Sequence, residues 1–144
     1  MISLKDAIER SRSNGDFTAL NDAVPYTRFL NLAAEEGEGE LIFRMGYRPE
    51  HIGNQVLRAL HGGIIGSLLE TAALSHVIWE MEQVRVPKTI TITIDYLRSG
   101  RPVDTFAASR ITKMGRRVVN VHTTAWQDDR SKPIASAIAH FLID

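Results

Sequence analysis

From Leu60 to Trp79 the chain reads Leu-His-Gly-Gly-Ile-Ile-Gly-Ser-Leu-Leu-Glu-Thr-Ala-Ala-Leu-Ser-His-Val-Ile-Trp. At 100° per residue, Ile64, Ile65, Leu68, Leu69, Ala72, Ala73, Leu74, Val77 and Ile78 occupy almost every side of a helix. A helix apolar all round is expected to be buried all round. Whatever else this chain forms must therefore wrap around that helix, which the pattern runs from Gly63 to Glu82. One carboxylate, Glu70, sits in its middle, and a carboxylate in such a setting calls for a partner or a task.

The flanking segments supply the wrapping. Leu4, Ala7 and Ile8 share one face of a short amphipathic helix over residues 3–12, with Ser3 as N-cap and Asn14-Gly15-Asp16 as its end. Residues 17–25 read as a connector, and Pro25 favours a strand over a helix just after it. Residues 27–36 and 40–47, around Gly37-Glu38-Gly39, read as a hairpin. Residues 48–60 have no clean period and form a loop into the helix. Pro87 stops the helix. Four strands follow at 89–96, 105–113, 117–127 and 133–143, separated by turn residues. In the last, Ala135, Ala137 and Ala139 line one face, letting a thick element approach closely. The expectation is an α+β fold: an antiparallel sheet wrapped around one long central helix. Residues 1–144 are expected to form a single domain, with 1–24 as an N-terminal helical extension.

Lysine and arginine number 17, as do aspartate and glutamate, and no basic stripe or polybasic segment is present. Nucleic acid and a membrane surface are therefore not expected as partners. The absence of cysteine excludes disulfides and thiolate chemistry. The first residues lack the pattern of a signal peptide, and His61, Glu70 and His76 make the central helix a poor membrane span. A soluble, cytoplasmic protein is expected. His51, His76, His122 and His140 show no metal-ligand spacing, so neither metal nor cofactor is expected.

His61-Gly62-Gly63 opens the helix. Exposed N–H groups and the dipole at a helix start suit an oxygen that is becoming negative. The same residues also fit an ordinary capped helix entry. Glu70 lies nine residues beyond His61, on the opposite side of the helix. One site holding both therefore needs two chains, the Glu70 of one facing the helix start of the other. The alternative is a glutamate reaching solvent or paired with an arginine. Gln55, in the preceding loop, can donate to a carbonyl or hold a water. Thr89, Thr91 and Thr93 share one face of a strand, which β-propensity alone also explains.

The run Gln55…His61-Gly62-Gly63…Glu70 resembles the hot-dog-fold acyl-CoA thioesterases of the phenylacetate (PaaI-like) type. The order hairpin, central helix, antiparallel strands is similar too, as are Tyr96-Leu97-Arg98 and Gly115-Arg116-Arg117; the likeness spans about residues 25–143. Pairing of Gln with Glu, rather than Asn with Asp, is similar to the aryl-CoA members, such as 4-hydroxybenzoyl-CoA and enterobactin-pathway proofreading enzymes. The resemblance implies that Glu70 is nucleophile or general base and that the Gly62 N–H, beside Gly63, holds the thioester oxygen. It implies that Gln55 orients the carbonyl or the water and that His61 positions Gln55. Thr89 matches a strand position where some Asp-type members have a working Ser or Thr, and Thr91 is its neighbour on the same face. One departure is Leu74, where Glu-type members often have Ser or Thr.

The implied substrate is an aryl- or medium-chain acyl-CoA. Its phosphates are expected near Arg116 and Arg117, with Arg98 or Arg101 as further candidates, because the arginine fork donates two parallel hydrogen bonds to phosphate. The implied assembly is a homodimer or homotetramer. A dehydratase of the same fold would need a histidine in a Phe-Pro-Gly context upstream, and none is present. The alternative from another class is a non-catalytic acyl-CoA-binding protein. What separates the two is whether Glu70 faces an open cleft or a closed core.

Overall fold

The computed structural model describes residues 2–81 and 86–144. Three helices come first: α1 (Leu4–Asn14), α2 (Phe17–Ala23) and α3 (Pro25–Phe29). Ser3 caps α1 as expected, its Oγ accepting from the Asp6 N–H at 3.1 Å. The connector expected over 17–25 is instead α2, and the strand expected after Pro25 is α3. The reasons are local. Asp16 accepts from the Thr18 N–H to cap α2, and Pro25 occupies the first turn of α3, where its fixed φ suits a helix and its missing N–H costs nothing.

The hairpin is shorter than expected at its start: β1 (Leu32–Glu36) pairs with β2 (Leu41–Met45). Residues 48–60 hold a 3₁₀ turn at Pro49–His51 and a small ribbon, β3 (Ile52–Asn54) with β4 (Ala59–Leu60). Next come the central helix α4 (Gly62–Glu80) and the strands β5 (Lys88–Tyr96), β6 (Thr105–Met114), β7 (Val118–Trp126) and β8 (Ala135–Leu142). The helix begins one residue before the expected Gly63 and ends at Glu80; the expected end, Glu82, lies outside the described residues. The six main strands form one antiparallel sheet in the order β1-β2-β6-β7-β8-β5.

Strand alternation decides which side faces α4. Ala107, Ala125, Ala135 and Ala137 point inward with Leu68 and Leu69, and Val119, Val121, Ala139 and Phe141 surround Ala73 and Val77. The small residues on β6, β7 and β8 let the helix sit close, as the alanine row of the last strand predicted. Ala7 and Ile8 of α1 and Phe17 of α2 complete the same core, Phe17 meeting Phe43 edge-on at 6.4 Å between ring centroids.

All-round burial of α4 does not hold. Gly63, Ser67, Glu70, Thr71 and Leu74 fall within about 100° of one another on a 3.6-residue helix, and none of them is fully buried. The sheet and α1 cover the other sides and leave this stripe open. By length and composition α4 would qualify to cross a membrane, contrary to the expectation, but it forms the centre of this fold. Beside the open stripe lies β5, an edge strand, with Ile90 and Tyr96 about half exposed.

Candidate active site

The helix start is held from four directions. His61 is the N-cap, and its Nδ1 accepts from the Gly63 N–H at 2.8 Å. Its carbonyl accepts from the N–H groups of Ile64 and Ile65 at 3.0 and 3.2 Å. The His61 N–H donates to the His51 carbonyl at 2.9 Å, and the Leu60 N–H to the Gly100 carbonyl at 3.0 Å. From the β5 side the Tyr96 hydroxyl donates to the Gly62 carbonyl at 2.8 Å. This leaves the Gly62 N–H with no acceptor among the described residues. It is the free donor at the positive end of a 19-residue helix.

Two glycines set the approach distances. A Cβ on Gly53 would fall 2.6 Å from His61 Cα, so the β3–β4 ribbon touches the cap backbone there. A Cβ on Gly66 would fall 2.9 Å from Ile94 Cδ1, so β5 lies directly against the first turns of α4. Behind the ribbon, His51 is fully buried. Its Nδ1 accepts from the Arg48 N–H at 3.3 Å and its Nε2 donates to the Phe29 carbonyl at 2.9 Å. His51 thus ties α3 to the loop that carries His61, a role that no spacing in the sequence signals.

Gln55 sits exposed at the tip of the ribbon. There Asn54 Oδ1 accepts from the N–H groups of Val56 and Leu57 at 3.0 and 2.9 Å, and Arg58 is left-handed at φ 54°. Glu70 lies on the open stripe and makes no hydrogen bond or ion pair with any described residue. Of the alternatives for Glu70, neither the arginine pair nor the closed core describes it among the described residues, whereas in a single chain it does reach solvent. Eight residues of helix separate it from Gly62, an axial rise of about 12 Å. One chain brings together His61, Gly62, Gly63 and Tyr96; it does not bring Glu70 to them.

The other expected residues lie elsewhere. Thr91 donates to or accepts from His140 Nδ1 at 2.7 Å, on the sheet face turned away from α4. Thr89 stands at a bulge at the Lys88 end of β5. Arg116 and Arg117 occupy the β6–β7 turn. By the register Lys88↔Leu142↔Val118, they sit at the end of the sheet opposite Tyr96 and Gly62. Arg98 is near Gly62, lining a cleft of about 380 Å³ with Ile65, Tyr96 and Gly100. Its guanidinium donates to the Pro133 carbonyl at 2.6 Å, and Arg101 pairs with Asp128.

On the other flank of the helix start, Tyr26 and Phe29 of α3 overhang a cleft of about 440 Å³ that also touches His61, Gly63 and Ser67. The strand expected after Pro25 assigns this flank no role; the helix α3 found there is what brings Tyr26 and Phe29 to it. Ser67, three residues before Glu70 on the same stripe, was legible from helical spacing alone. An ion pair with two parallel bonds lies away from the helix start. Arg130 donates two parallel bonds to Glu40, at 2.7 and 2.8 Å, with its guanidinium 4.4 Å from the Trp126 ring centroid. Those bonds hold the Glu40 carboxyl below its ordinary range.

An antiparallel sheet packed on one long helix, with a glycine-rich helix start bearing a free N–H, is the architecture of a hot-dog thioesterase. Residues 51–142 match the family model described as the acyl-CoA thioesterase N-terminal domain, and the chain belongs to that family of thioester hydrolases. The medium/long-chain acyl-CoA thioesterase YigI of Escherichia coli K12 is 29% identical, the match covering 83% of this chain and 86% of that protein. A solved structure from Chromobacterium violaceum is 40% identical with a TM-score of 0.80, covering 96% of this chain and 97% of the other. A solved member of the thioesterase superfamily is 25% identical with a TM-score of 0.81, covering 96% and 99%.

Proposed function

We propose that this protein hydrolyses medium-chain acyl-CoA to the free acid and CoA, at a site built from two chains. The observation that carries this reading is Glu70: a carboxylate without a partner, on the one open stripe of an otherwise buried helix. In a single chain it faces nothing that it could act on. In a pair related by a two-fold axis, Glu70 of one chain lies across from the helix start of the other.

The surface around the stripe supports a pair. Strand β5 is a nine-residue edge with unpaired backbone groups, and such edges pair or aggregate unless covered. The ribbon tip beside Gln55 exposes Val56 at 91% and Leu57 at 72%, and exposed apolar patches of this kind mark contact surfaces. Antiparallel pairing of two β5 edges would set the Lys88 end of one chain beside the Tyr96 end of the other. Arg116, Arg117 and Thr89 would then serve the partner's site rather than their own.

In this arrangement the Gly62 N–H binds the thioester oxygen as it becomes an oxyanion. His61 fixes that N–H through its cap on Gly63, and Gln55 orients the carbonyl or the attacking water. Glu70 attacks the carbonyl carbon or takes the proton of that water. Collapse of the tetrahedral intermediate breaks the C–S bond and expels the CoA thiolate. Where water attacked, this leaves the free acid, and the proton held by Glu70 passes to the thiolate. Where Glu70 attacked, it leaves an acyl anhydride on Glu70 that water hydrolyses to the free acid and the restored carboxylate. Leu74 leaves the position beyond Glu70 apolar; Ser67 and Thr71 are the hydroxyls that flank Glu70 on its stripe. We read residues 1–144 as one domain in a cytoplasmic protein, with 1–24 as an extension. The relative's activity on medium and long chains favours an aliphatic over an aryl group.

Mixing inactive variants tests the two-chain site. Chains carrying Glu70→Ala and chains carrying His61→Ala each form dead homodimers, but a mixed dimer has one site with both residues intact. After subunit exchange the mixture regains about one working site in four, read as thiol release from octanoyl-CoA. No recovery, with mixed dimers demonstrated by mass spectrometry, places the site within one chain.

A further inference from the structure

The two clefts that flank the helix start differ in chemistry. The one on the β5 side has Arg98 as its charged residue, without a carboxylate, and adjoins a groove where Lys132 and Arg101 stand with Asp128 and Asp129, Arg101 being paired with Asp128. The one on the α3 side is floored by Ile52 and Ile64, walled by Tyr26 and Phe29, and carries the Glu50 carboxylate. A polyanionic CoA is drawn to the first and repelled by Glu50 at the second, while an acyl chain gains by covering the aromatic wall. The two rings, three residues apart on α3, stand 5.7 Å between centroids, and Tyr26 remains 49% and Phe29 38% exposed. So much aromatic surface left open beside an apolar floor marks a place where something apolar binds.

One hydrogen bond crosses this cleft. Ser67 Oγ donates to the Gly63 carbonyl at 2.7 Å, so the Tyr26 hydroxyl, 3.2 Å from Ser67 Oγ, is the donor to Ser67. Ser67 lies four residues beyond Gly63, about 6 Å along the helix axis. A chain entering at the helix start and running along α4 therefore meets the Tyr26–Ser67 bridge after about one turn. We propose that Tyr26 is a specificity-determining residue: with Phe29 it forms the wall of the acyl subsite, and its bridge to Ser67 closes the far end and limits acyl length. This rests on the thioesterase reading above and assigns one arm of that site. The His51–Phe29 bond fixes α3 to the His61 loop, so wall and oxyanion donor keep a constant spacing.

The test is the chain-length profile of kcat/KM from butanoyl-CoA to palmitoyl-CoA, for the wild type, Tyr26→Ala, Tyr26→Phe and Ser67→Ala. Removing the wall moves the optimum to longer chains. The ratio of the longest to the shortest substrates rises about tenfold or more in Tyr26→Ala, on the scale that methylenes in an apolar pocket command. Tyr26→Phe and Ser67→Ala, which keep the ring but lose the bridge, shift it in the same direction by less. If Tyr26→Ala does not fold, the two conservative variants carry the test. Profiles parallel to the wild type in all folded variants overturn the proposal. If the wild type hydrolyses none of the series, the functional reading fails instead. Calorimetric affinities for thioether analogues of the same lengths then decide the subsite, and a length preference unmoved by these substitutions overturns it.

Discussion

Replacing Gly53 with alanine puts the geometry of the helix start to the test without touching any group that transfers a proton. The added Cβ would lie 2.6 Å from His61 Cα and 2.8 Å from His61 Cβ, whereas ordinary contact begins at 3.4 Å. The cap must therefore retreat by about 0.8 Å, the difference between 3.4 and 2.6 Å. It cannot yield by rotating a side chain, because one of the atoms struck is backbone. The His61 N–H bond to the His51 carbonyl and the cap on Gly63 move with it. A misplacement of about 1 Å at a reacting centre can cost roughly 10²-fold, and overpacking typically costs about 1–3 kcal/mol of stability. We expect Gly53→Ala to fold with a lowered Tm and to lose most of its kcat, with a smaller change in KM. The assay is steady-state thiol release on octanoyl-CoA beside thermal unfolding by circular dichroism. An undiminished kcat in a variant that folds would refute the reasoning, since the His61 cap would then not position the reacting carbonyl.

Other expectations follow from single contacts. Tyr96→Phe removes the bond to the Gly62 carbonyl and should lower kcat/KM by severalfold, at a stability cost of about 0.5–1.5 kcal/mol, read by the same kinetics and by urea unfolding. Phe43→Ala deletes a fully buried ring that also holds α2 through Phe17 and should cost about 3–5 kcal/mol in chemical denaturation. The Glu40–Arg130 pair gives a pH signature. Because folding lowers the Glu40 pKa, its contribution is complete above the unfolded carboxylate value and is lost as pH falls through the folded one. Both partners are partly exposed, so the contribution is about 0.2–1 kcal/mol. The Tm difference between wild type and Glu40→Gln should be present at neutral pH and vanish in acid.

Much of the fold was legible because α4 and the late strands obey strong periods. A helix apolar on every side has one destination, and the alternating Ile and Thr of β5 and the alanines of β8 fix which face meets it. Residues 17–29 depart from the expected connector and strand because α2 and α3 depend on single capping residues, Asp16 and Pro25, rather than on a repeat. Proline breaks a helix in its interior, but Pro25 stands in the first turn, where it starts one. At the candidate site, His61, Gly62 and the opposed placement of Glu70 could be read from spacing. The Glu70 stripe was open to the same reading, since Ser67, Glu70 and Thr71 fall on one side of the helix with Leu74 as the one large apolar residue among them. The linkage from His51 to Phe29 and the bridge from Tyr26 to Ser67 were not, because they join residues 22 and 41 positions apart.

The central claim, that a carboxylate on the open stripe of α4 performs thioester hydrolysis, is tested most directly by the turnover of Glu70→Ala on the best substrate, with binding of the thioether analogue measured in parallel. A general base contributes roughly 10²–10⁴-fold. The account predicts a kcat lower by at least about two orders of magnitude, unchanged analogue affinity, and a partial loss in Glu70→Asp, whose carboxylate is withdrawn by one methylene. Hydrolysis by Glu70→Ala at close to the wild-type rate would contradict the account.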